Sequence, residues 1–334
     1  MTSPPLEHRA PHTVRERLKA WIGPAFAIVA FLAAAWLLHH ELRHHSWAEI
    51  FEKVSAIPRR RVLLALILTA LNYSILSGYD GLAVWYLKHP LRWSRIMFGA
   101  FVGYAMSHNF TWMLGGTATR FRLYTSWGFS GVKLIQLFAL LGVAFWTGYC
   151  AVAGFVFLTH PMRLENLHIP LTSTFWLGPI LLGVLGLYWI GCAFGKPIMI
   201  RRWRIDFPPL RLAVLHAAVA SCDLLLQAAI MYTLMPKGFG IDYWETANVV
   251  LLAGALAIVS HVPGGVGVLE AVALELLTQD FSSAEPEESL KAAIFGSLLA
   301  YRVIFYLLPL FVAVLSLGWH ELVAQRKPQS VGNK

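Results

Sequence analysis

The feature that most constrains this chain is a set of apolar stretches, each almost free of charge and about 18 residues or longer. A stretch of that length can cross the hydrocarbon core of a bilayer as an α-helix. The chain is 57% hydrophobic and only 13% charged, which is not the composition of a soluble globular domain. The sequence therefore predicts an all-α polytopic membrane protein. We expect full spans at about 21–38, 62–87, 132–158, 175–194, 212–235 and 292–317.

A further apolar stretch, 244–279, is interrupted near its middle by Pro263, Gly264, Gly265 and Gly267. Proline cannot donate a backbone hydrogen bond, and each glycine disfavours a helix by about 1 kcal/mol relative to alanine. This pattern predicts two half-helices joined by an unwound elbow that binds a ligand. The alternative is a proline kink in an ordinary packed span.

A second interrupted stretch, 96–128, carries Ser107-His108-Asn109 and then the pair Gly115-Gly116. Thr117 is a predicted N-cap for a short helix after the glycines. The order Ser-His before Gly-Gly occurs in both interrupted stretches, because Ser260-His261 precedes Gly264-Gly265. We therefore predict two re-entrant hairpins in addition to the six full spans.

The distribution of basic residues favours one topology. Five basic residues lie at 196–211 and only one at 160–172, and basic loops remain in the cytoplasm. With both interrupted stretches re-entrant, the basic loop and both tails (1–20 and 319–334) are cytoplasmic. The basic segment 39–61 would then lie outside, where an interfacial helix could hold its charges.

This topology divides the single membrane domain, 21–318, into two halves at about 21–158 and 175–318. Each half contributes two spans, a hairpin and one more span, so the halves run in opposite directions. Such inverted repeats, with broken helices meeting near the midplane, are common in transporters.

Charged residues inside apolar segments are costly, and they usually pair or line a path for a substrate. The sequence places seven in or beside such segments: Asp80, Arg120, Arg122, Asp223, Glu270, Glu275 and Arg302. One interpretation is a buried ion pair between Asp223 and Arg302, with Glu270 as another available partner of Arg302. The other is a cavity in which Arg302, with Arg120 or Arg122, holds a phosphate while acidic groups face a cationic headgroup.

Over about residues 15–318 the chain resembles the transmembrane flippase region of the lysylphosphatidylglycerol synthases. The motifs that carry the resemblance are Ser260-His261-Val262-Pro263-Gly264-Gly265-Val266-Gly267-Val268-Leu269-Glu270, Gly78-Tyr79-Asp80-Gly81, His108-Asn109 with Gly115-Gly116 and Arg120, and Tyr301-Arg302 with Tyr306 and Pro309. Active members carry a cytosolic aminoacyltransferase domain after this region, whereas only a short tail is expected here. The resemblance implies a stand-alone member that moves lipids, a role connected with antimicrobial peptide resistance.

We therefore expect a translocase for an anionic or aminoacylated phospholipid in the bacterial inner membrane. The candidate substrate-binding residues are Asp80, His108, Asn109, Gly115, Gly116, Arg120, Arg122, Asp223, His261, Pro263, Gly264, Gly265, Gly267, Glu270, Arg302 and Tyr306. We expect no catalytic residue, metal, cofactor or nucleic-acid partner, and a homo-oligomer would fit. Metal binding by the histidines of 39–45 is an alternative for that segment.

Two other functions are kept as alternatives. The chain could be a non-catalytic membrane partner of a separate lipid synthase. It could also be a membrane-embedded lipid-headgroup transferase, for which His108, His261 and Glu270 are the available acid–base groups.

Overall fold

The computed structural model describes residues 55, 57–110, 113–164, 173–195, 197–200, 203–205, 207–237, 239–260, 263–278 and 284–326. The predicted span at 21–38 and the tail 1–20 lie outside these residues, as do the second half of the tail 319–334, most of the predicted interfacial helix and His261.

The described residues are mainly helical. The helices are α1 (Arg59–Tyr86), α2 (Trp93–Asn109), α3 (Ala118–Ser126), α4 (Gly131–Thr159), α5 (Leu177–Phe194), α6 (Leu210–Leu234), α7 (Tyr243–Ser260), α8 (Val268–Thr278), α9 (Ala284–Tyr301) and α10 (Leu308–Arg326). Four shorter segments adjoin them: the π-helical Met113–Thr117 and Arg302–Leu307 and the 3-10 turns Thr174–Trp176 and Pro263–Gly265. A small antiparallel ribbon, β1 (Ile198–Ile200) and β2 (Trp203–Ile205), lies between α5 and α6, with Met199 opposite Arg204.

Six helical segments among the described residues are long and apolar enough to cross a membrane. They are Arg59–Tyr86, Gly131–Thr159, Thr174–Phe194, Leu210–Leu234, Tyr243–Ser260 and Leu290–Val323. Five of them coincide with spans that the sequence predicts. The other, α7, is the first arm of the stretch predicted to be a re-entrant hairpin, so its length and composition alone also suit a full crossing. The chain is a multi-pass helical membrane protein.

The centre of the structure is formed by α1, α4 and α6. Helices α1 and α6 run antiparallel, because the Arg61 guanidinium donates to the Met235 carbonyl while Asn72 lies opposite Asp223. Helix α4 approaches α6 at Gly148, where an added Cβ would lie 2.1 Å from the Cβ of Ala220. The two helix backbones therefore meet with almost no side chain between them.

The approach of α4 to α6 predicts a large difference between two glycine substitutions on one helix. Gly148→Ala should destabilise the fold by about 1–3 kcal/mol, because the added methyl overpacks a rigid contact. Gly142→Ala is the matched control, since nothing lies within 4 Å of its added Cβ. It should be neutral or slightly stabilising, because alanine favours a helix. Thermal unfolding of both purified variants in detergent measures this difference, and equal midpoints would contradict the contact.

Helices α2 and α3 form an antiparallel hairpin around the first glycine pair. An added Cβ at Gly103 would lie 2.7 Å from the Arg120 guanidinium carbon, and one at Gly116 would lie 1.7 Å from Ser107 Oγ. The expected N-cap at Thr117 is wrong. Thr117 has helical angles (φ −67°, ψ −44°) and its side chain makes no cap hydrogen bond. The reason is that the π-helical turn Met113–Thr117 leads directly into α3.

The second interruption is an unwound elbow between α7 and α8. Helix α7 ends at Ser260 and α8 begins at Val268. Between them Gly264, Gly265 and Gly267 have φ values of 63°, 60° and 79°, which lie in the left-handed region that glycine tolerates best. The prediction of two half-helices is therefore confirmed over the alternative of a kinked continuous helix, and α7 and α8 pack against each other.

Candidate functional site

Arg302 holds the elbow in place. Its Nε and Nη2 both donate to the carboxylate of Glu270, the latter at 2.8 Å. Its Nη1 and Nη2 also donate to the carbonyls of Gly264 and Gly265, at 3.2 and 3.1 Å. The Glu270 carboxylate accepts the Gly267 N–H at 2.9 Å. One arginine and one glutamate thus satisfy three backbone groups that the loss of helix leaves free, as an apolar environment requires.

The two chain interruptions meet each other. An added Cβ at Gly264 would lie 3.3 Å from the carbonyl oxygen of Asn109, the last residue of α2. The Asn109 amide in turn donates to the Tyr306 carbonyl at 3.0 Å. The end of α2 is therefore in contact with both the elbow and the segment that carries Arg302.

The segment Arg302–Leu307 is π-helical, and a proline explains part of its geometry. Pro309 has no N–H to give to the Phe305 carbonyl four residues earlier. That carbonyl instead accepts the Tyr73 hydroxyl of α1 at 3.2 Å. The helix is therefore interrupted between Arg302 and Pro309, and side chains of α1 and α2 satisfy carbonyls of the interrupted segment.

His108 lies among aromatic rings where these elements meet. Its ring centroid is 5.2 Å from that of Phe305, 6.0 Å from Tyr73 and 6.1 Å from Tyr306. Its Nε2 is buried and makes no hydrogen bond to any of the described residues, and the same is true of the neighbouring Ser107 Oγ. Both atoms keep unused hydrogen-bonding capacity in the buried region where these elements meet.

A second cluster surrounds Asp80 of α1. Arg120 binds its carboxylate through Nε at 3.0 Å and Nη2 at 3.2 Å, and the Tyr124 hydroxyl donates to Oδ1 at 2.7 Å. The guanidinium also lies over the ring of Tyr104, 4.1 Å from its centroid. Both charged side chains are almost fully buried. The pair fixes the α2–α3 hairpin to α1.

A third cluster surrounds Asp223 of α6. Its Oδ1 accepts from the amides of Asn72 and Gln227, both at 2.9 Å, and its Oδ2 accepts from the Tyr79 hydroxyl at 3.2 Å. These partners are all uncharged. The ion pair between Asp223 and Arg302 that the sequence allows does not form, because α8 presents Glu270 to Arg302 while α1 supplies the partners of Asp223.

Arg122 belongs to a separate surface. Its guanidinium binds Glu321 of α10, with Nη2 at 2.7 Å from Oε1. Arg122 and Arg120 are two residues apart on a helix, so they point to different sides. Arg120, Arg122 and Arg302 therefore each pair with a different acid.

Known proteins show what the chain is related to. The uncharacterized protein slr0712 of Synechocystis is 33% identical over 318 residues, 94% of this chain and 96% of that protein. The inner membrane protein YbhN of Escherichia coli is 30% identical over 288 residues, 85% of this chain and 88% of YbhN. The chain belongs to the family of slr0712 and YbhN. No protein-family model matches it.

A more distant relative of this chain is a phosphatidylglycerol lysyltransferase of Staphylococcus haemolyticus. It is 24% identical over 305 residues, which cover 90% of this chain but only 34% of that protein. This match agrees with the resemblance to the membrane region of lysylphosphatidylglycerol synthases.

The structure of this family member gathers seven of the candidate residues at the elbow: His108, Asn109, Gly264, Gly265, Glu270, Arg302 and Tyr306. Gly267 lies at its edge, and Pro263 opens its 3-10 turn. Asp80 with Arg120, Asp223 and Arg122 lie in three other clusters. Gly115 and Gly116 lie at the turn of the α2–α3 hairpin, each close to α2.

Several residues that contact the candidate residues in the structure were not predicted from the sequence. They are Asn72, Tyr73, Tyr79, Tyr104, Tyr124 and Gln227. A signal for some of them exists on α1, where Asn72 and Tyr79 are seven residues apart, as are Tyr73 and Asp80. Polar residues at this spacing share a face of a helix.

Proposed function

We propose that this protein moves an anionic or aminoacylated phospholipid between the leaflets of the bacterial inner membrane. The observation that carries the proposal is the contact between the two chain interruptions, where Gly264 meets Asn109. Transporters commonly bind substrates where discontinuous helices meet at membrane depth. The related phosphatidylglycerol lysyltransferase supports a phospholipid as the substrate.

The exposure of the Arg302–Glu270 pair supports a particular arrangement of the headgroup. The side chain of Glu270 is 17% exposed, whereas that of Arg302 is 4% exposed. The accessible edge of the pair is therefore the carboxylate, which would attract an amino headgroup. Donors for the phosphate would come from His108 Nε2 and Ser107 Oγ, two buried atoms that have no hydrogen-bond partner in the described part of the chain. Arg302 then serves to position the elbow and is not itself the phosphate ligand.

Leaflet exchange in proteoliposomes tests the proposal. The purified protein is reconstituted with headgroup-labelled phosphatidylglycerol, lysylphosphatidylglycerol, phosphatidylethanolamine or phosphatidylcholine, and outer-leaflet label is removed chemically. We expect faster exchange of at least one anionic or aminoacylated lipid than in protein-free vesicles. Rates equal to those of empty vesicles for every lipid would contradict the proposal.

Two matched glycine substitutions test whether this activity depends on the elbow. Gly264→Ala should reduce exchange at least about tenfold, because a left-handed residue with a Cβ costs about 1–2 kcal/mol and the methyl approaches the Asn109 carbonyl. Gly254→Ala on α7 is the matched control, because its added Cβ meets nothing within 4 Å. The exchange rate per folded protein is measured for both. Equal rates would remove the elbow from the mechanism.

The same preparation separates the translocase from the two alternatives. Purified protein supplied with lysyl-tRNA and phosphatidylglycerol should form no lysylphosphatidylglycerol, and formation of that lipid would establish a transferase instead. Exchange that appears only after a separate synthase is added would establish a membrane partner.

We also propose that α2–α3 and α7–α8 are re-entrant hairpins of an inverted repeat, within a single membrane domain at 21–318 whose tails are cytoplasmic. Single cysteines at Trp93 and Trp127 test the first hairpin, after Cys150, Cys192 and Cys222 are replaced. Both positions should react with an impermeant reagent from the cytoplasmic side, because a hairpin brings its ends to one surface. Reaction from opposite sides would exclude the re-entrant hairpin and the repeat.

A further inference from the structure

Asp223 is a buried acid without a cationic partner among the described residues. The residue is 3% exposed, and only the uncharged side chains of Asn72, Gln227 and Tyr79 hydrogen-bond its carboxylate. Asp80 and Glu270, by contrast, each bind an arginine. An ionised carboxylate in an apolar interior is strongly unfavourable unless a cation compensates its charge. In its ionised form, Asp223 would therefore lack a compensating positive charge among the described residues.

The titratable groups around Asp223 do not supply that charge. Those that interact with it electrostatically are Tyr73 and Tyr79 of α1, Tyr104 of α2 and Tyr301 of α9. Its own helix carries the adjacent Cys222 and, two turns earlier, His216, whose buried Nε2 makes no hydrogen bond within the described part of the chain.

We propose that Asp223 takes up and releases a proton and that this step is coupled to lipid movement. The coupling rests on the proposed function, but the protonation does not. The cation is assigned as a proton because two amide N–H groups already occupy Oδ1, a surrounding that disfavours a metal ion. On Oδ2 the Tyr79 hydroxyl can either donate or accept. A proton from water can bind Oδ2 and donate to Tyr79 Oη, and its release restores the original bond.

Helix α1 connects this acid to the elbow and to the Asp80 cluster. On one face, Asn72 and Tyr79 bind Asp223. On the adjacent face, Tyr73 binds the Phe305 carbonyl within the segment Arg302–Leu307, and Asp80 binds Arg120. A displacement of α1 when Asp223 gains a proton would therefore act on both clusters at once, which gives the proton a physical route to the lipid site.

Infrared difference spectroscopy of the reconstituted full-length protein tests protonation without any lipid assay. Titration of the sample should reveal a carboxylic-acid carbonyl band that is absent from Asp223→Asn. Asp242→Asn is the control, because Asp242 is exposed at the start of α7 and its substitution should leave the band unchanged. If Asp223→Asn does not fold, Tyr79→Phe serves instead and should shift the band by removing its hydrogen-bond partner. Wild-type protein without a titrating band, or a band unaffected by these two changes, would overturn the proposal.

Exchange under an imposed gradient tests the coupling. A one-unit pH gradient should change the steady-state ratio of labelled lipid between leaflets by up to about tenfold if one proton moves per lipid. The ratio in Asp223→Asn should be the same with and without the gradient. A response to a sodium gradient alone would replace the proton with a metal cation. A titrating band together with no response to any gradient would overturn the coupling. Absence of exchange for every lipid would count against the proposed function. The infrared band would still decide whether Asp223 is protonated.

Discussion

Arg120→Gln is expected to abolish the accumulation of folded protein. The substitution leaves the Asp80 carboxylate buried, with the Tyr124 hydroxyl as its one remaining hydrogen-bond donor among the described residues. Breaking a buried pair in this way costs about 3–5 kcal/mol. That loss is a large part of the stability of an ordinary domain. Yield of monodisperse protein after size-exclusion chromatography and its thermal midpoint measure the effect. Adding Asp80→Asn should restore part of the yield, because the neutral side chain needs no cation.

The matched control is Arg122→Gln on the same helix. Its pair with Glu321 is partly exposed, with side chains 23% and 16% accessible, and exposed pairs contribute about 0–1 kcal/mol. We therefore expect nearly normal yield. If the two arginine variants lost the same stability, the buried position of the Asp80–Arg120 pair would not be what matters.

Arg302→Gln should have the second largest effect, on both stability and exchange. It removes the cation from Glu270 and the donors from two elbow carbonyls, Gly264 and Gly265. A loss of about 3–5 kcal/mol is expected for the charge alone. Adding Glu270→Gln should recover folded protein only in part, because the carbonyls stay without donors. Exchange should not return, since the elbow is no longer held.

The control for this result is the combination of Arg302→Gln with Asp223→Asn. The two residues do not contact each other, so the second substitution should add no rescue of yield. Full recovery through Asp223→Asn would show that the two charges pair in the membrane after all. Full lipid exchange in well-folded Arg302→Gln would show that the Arg302–Glu270 pair does not position the elbow for transport.

The breaks in the helices were predictable because their causes are local. A proline and three glycines between Ser260 and Val268 are enough to forecast unwound backbone, and uncharged length is enough to forecast the spans. The N-cap at Thr117 failed for a physical reason of the same kind. Capping residues are signals only where a helix starts, and a π-helical turn preceding α3 supplies the backbone geometry without a cap.

The partners of the buried charges could not be predicted in the same way. Asp223 and Glu270 are both acids in apolar segments, so the sequence offers either to Arg302. The choice depends on which helix packs against which, and that follows from contacts between segments far apart in the chain, such as α1 with α6. The polar pairs seven residues apart on α1 indicate that it has two polar faces. They do not indicate which neighbouring helices those faces contact.

The π-helical segment Arg302–Leu307 changes how the long element from α9 to α10 should be interpreted. Leu308, Leu315 and Leu322 follow one another at intervals of seven and are 43%, 53% and 54% exposed. The same interval continued backward reaches Tyr301 and Ile294, which are 1% and 0% exposed. On a single helical wheel drawn for the whole element, the exposed face of α10 would therefore coincide with the buried face of α9. Wheels for probe placement or alignment of this family must be drawn separately before residue 302 and after residue 307.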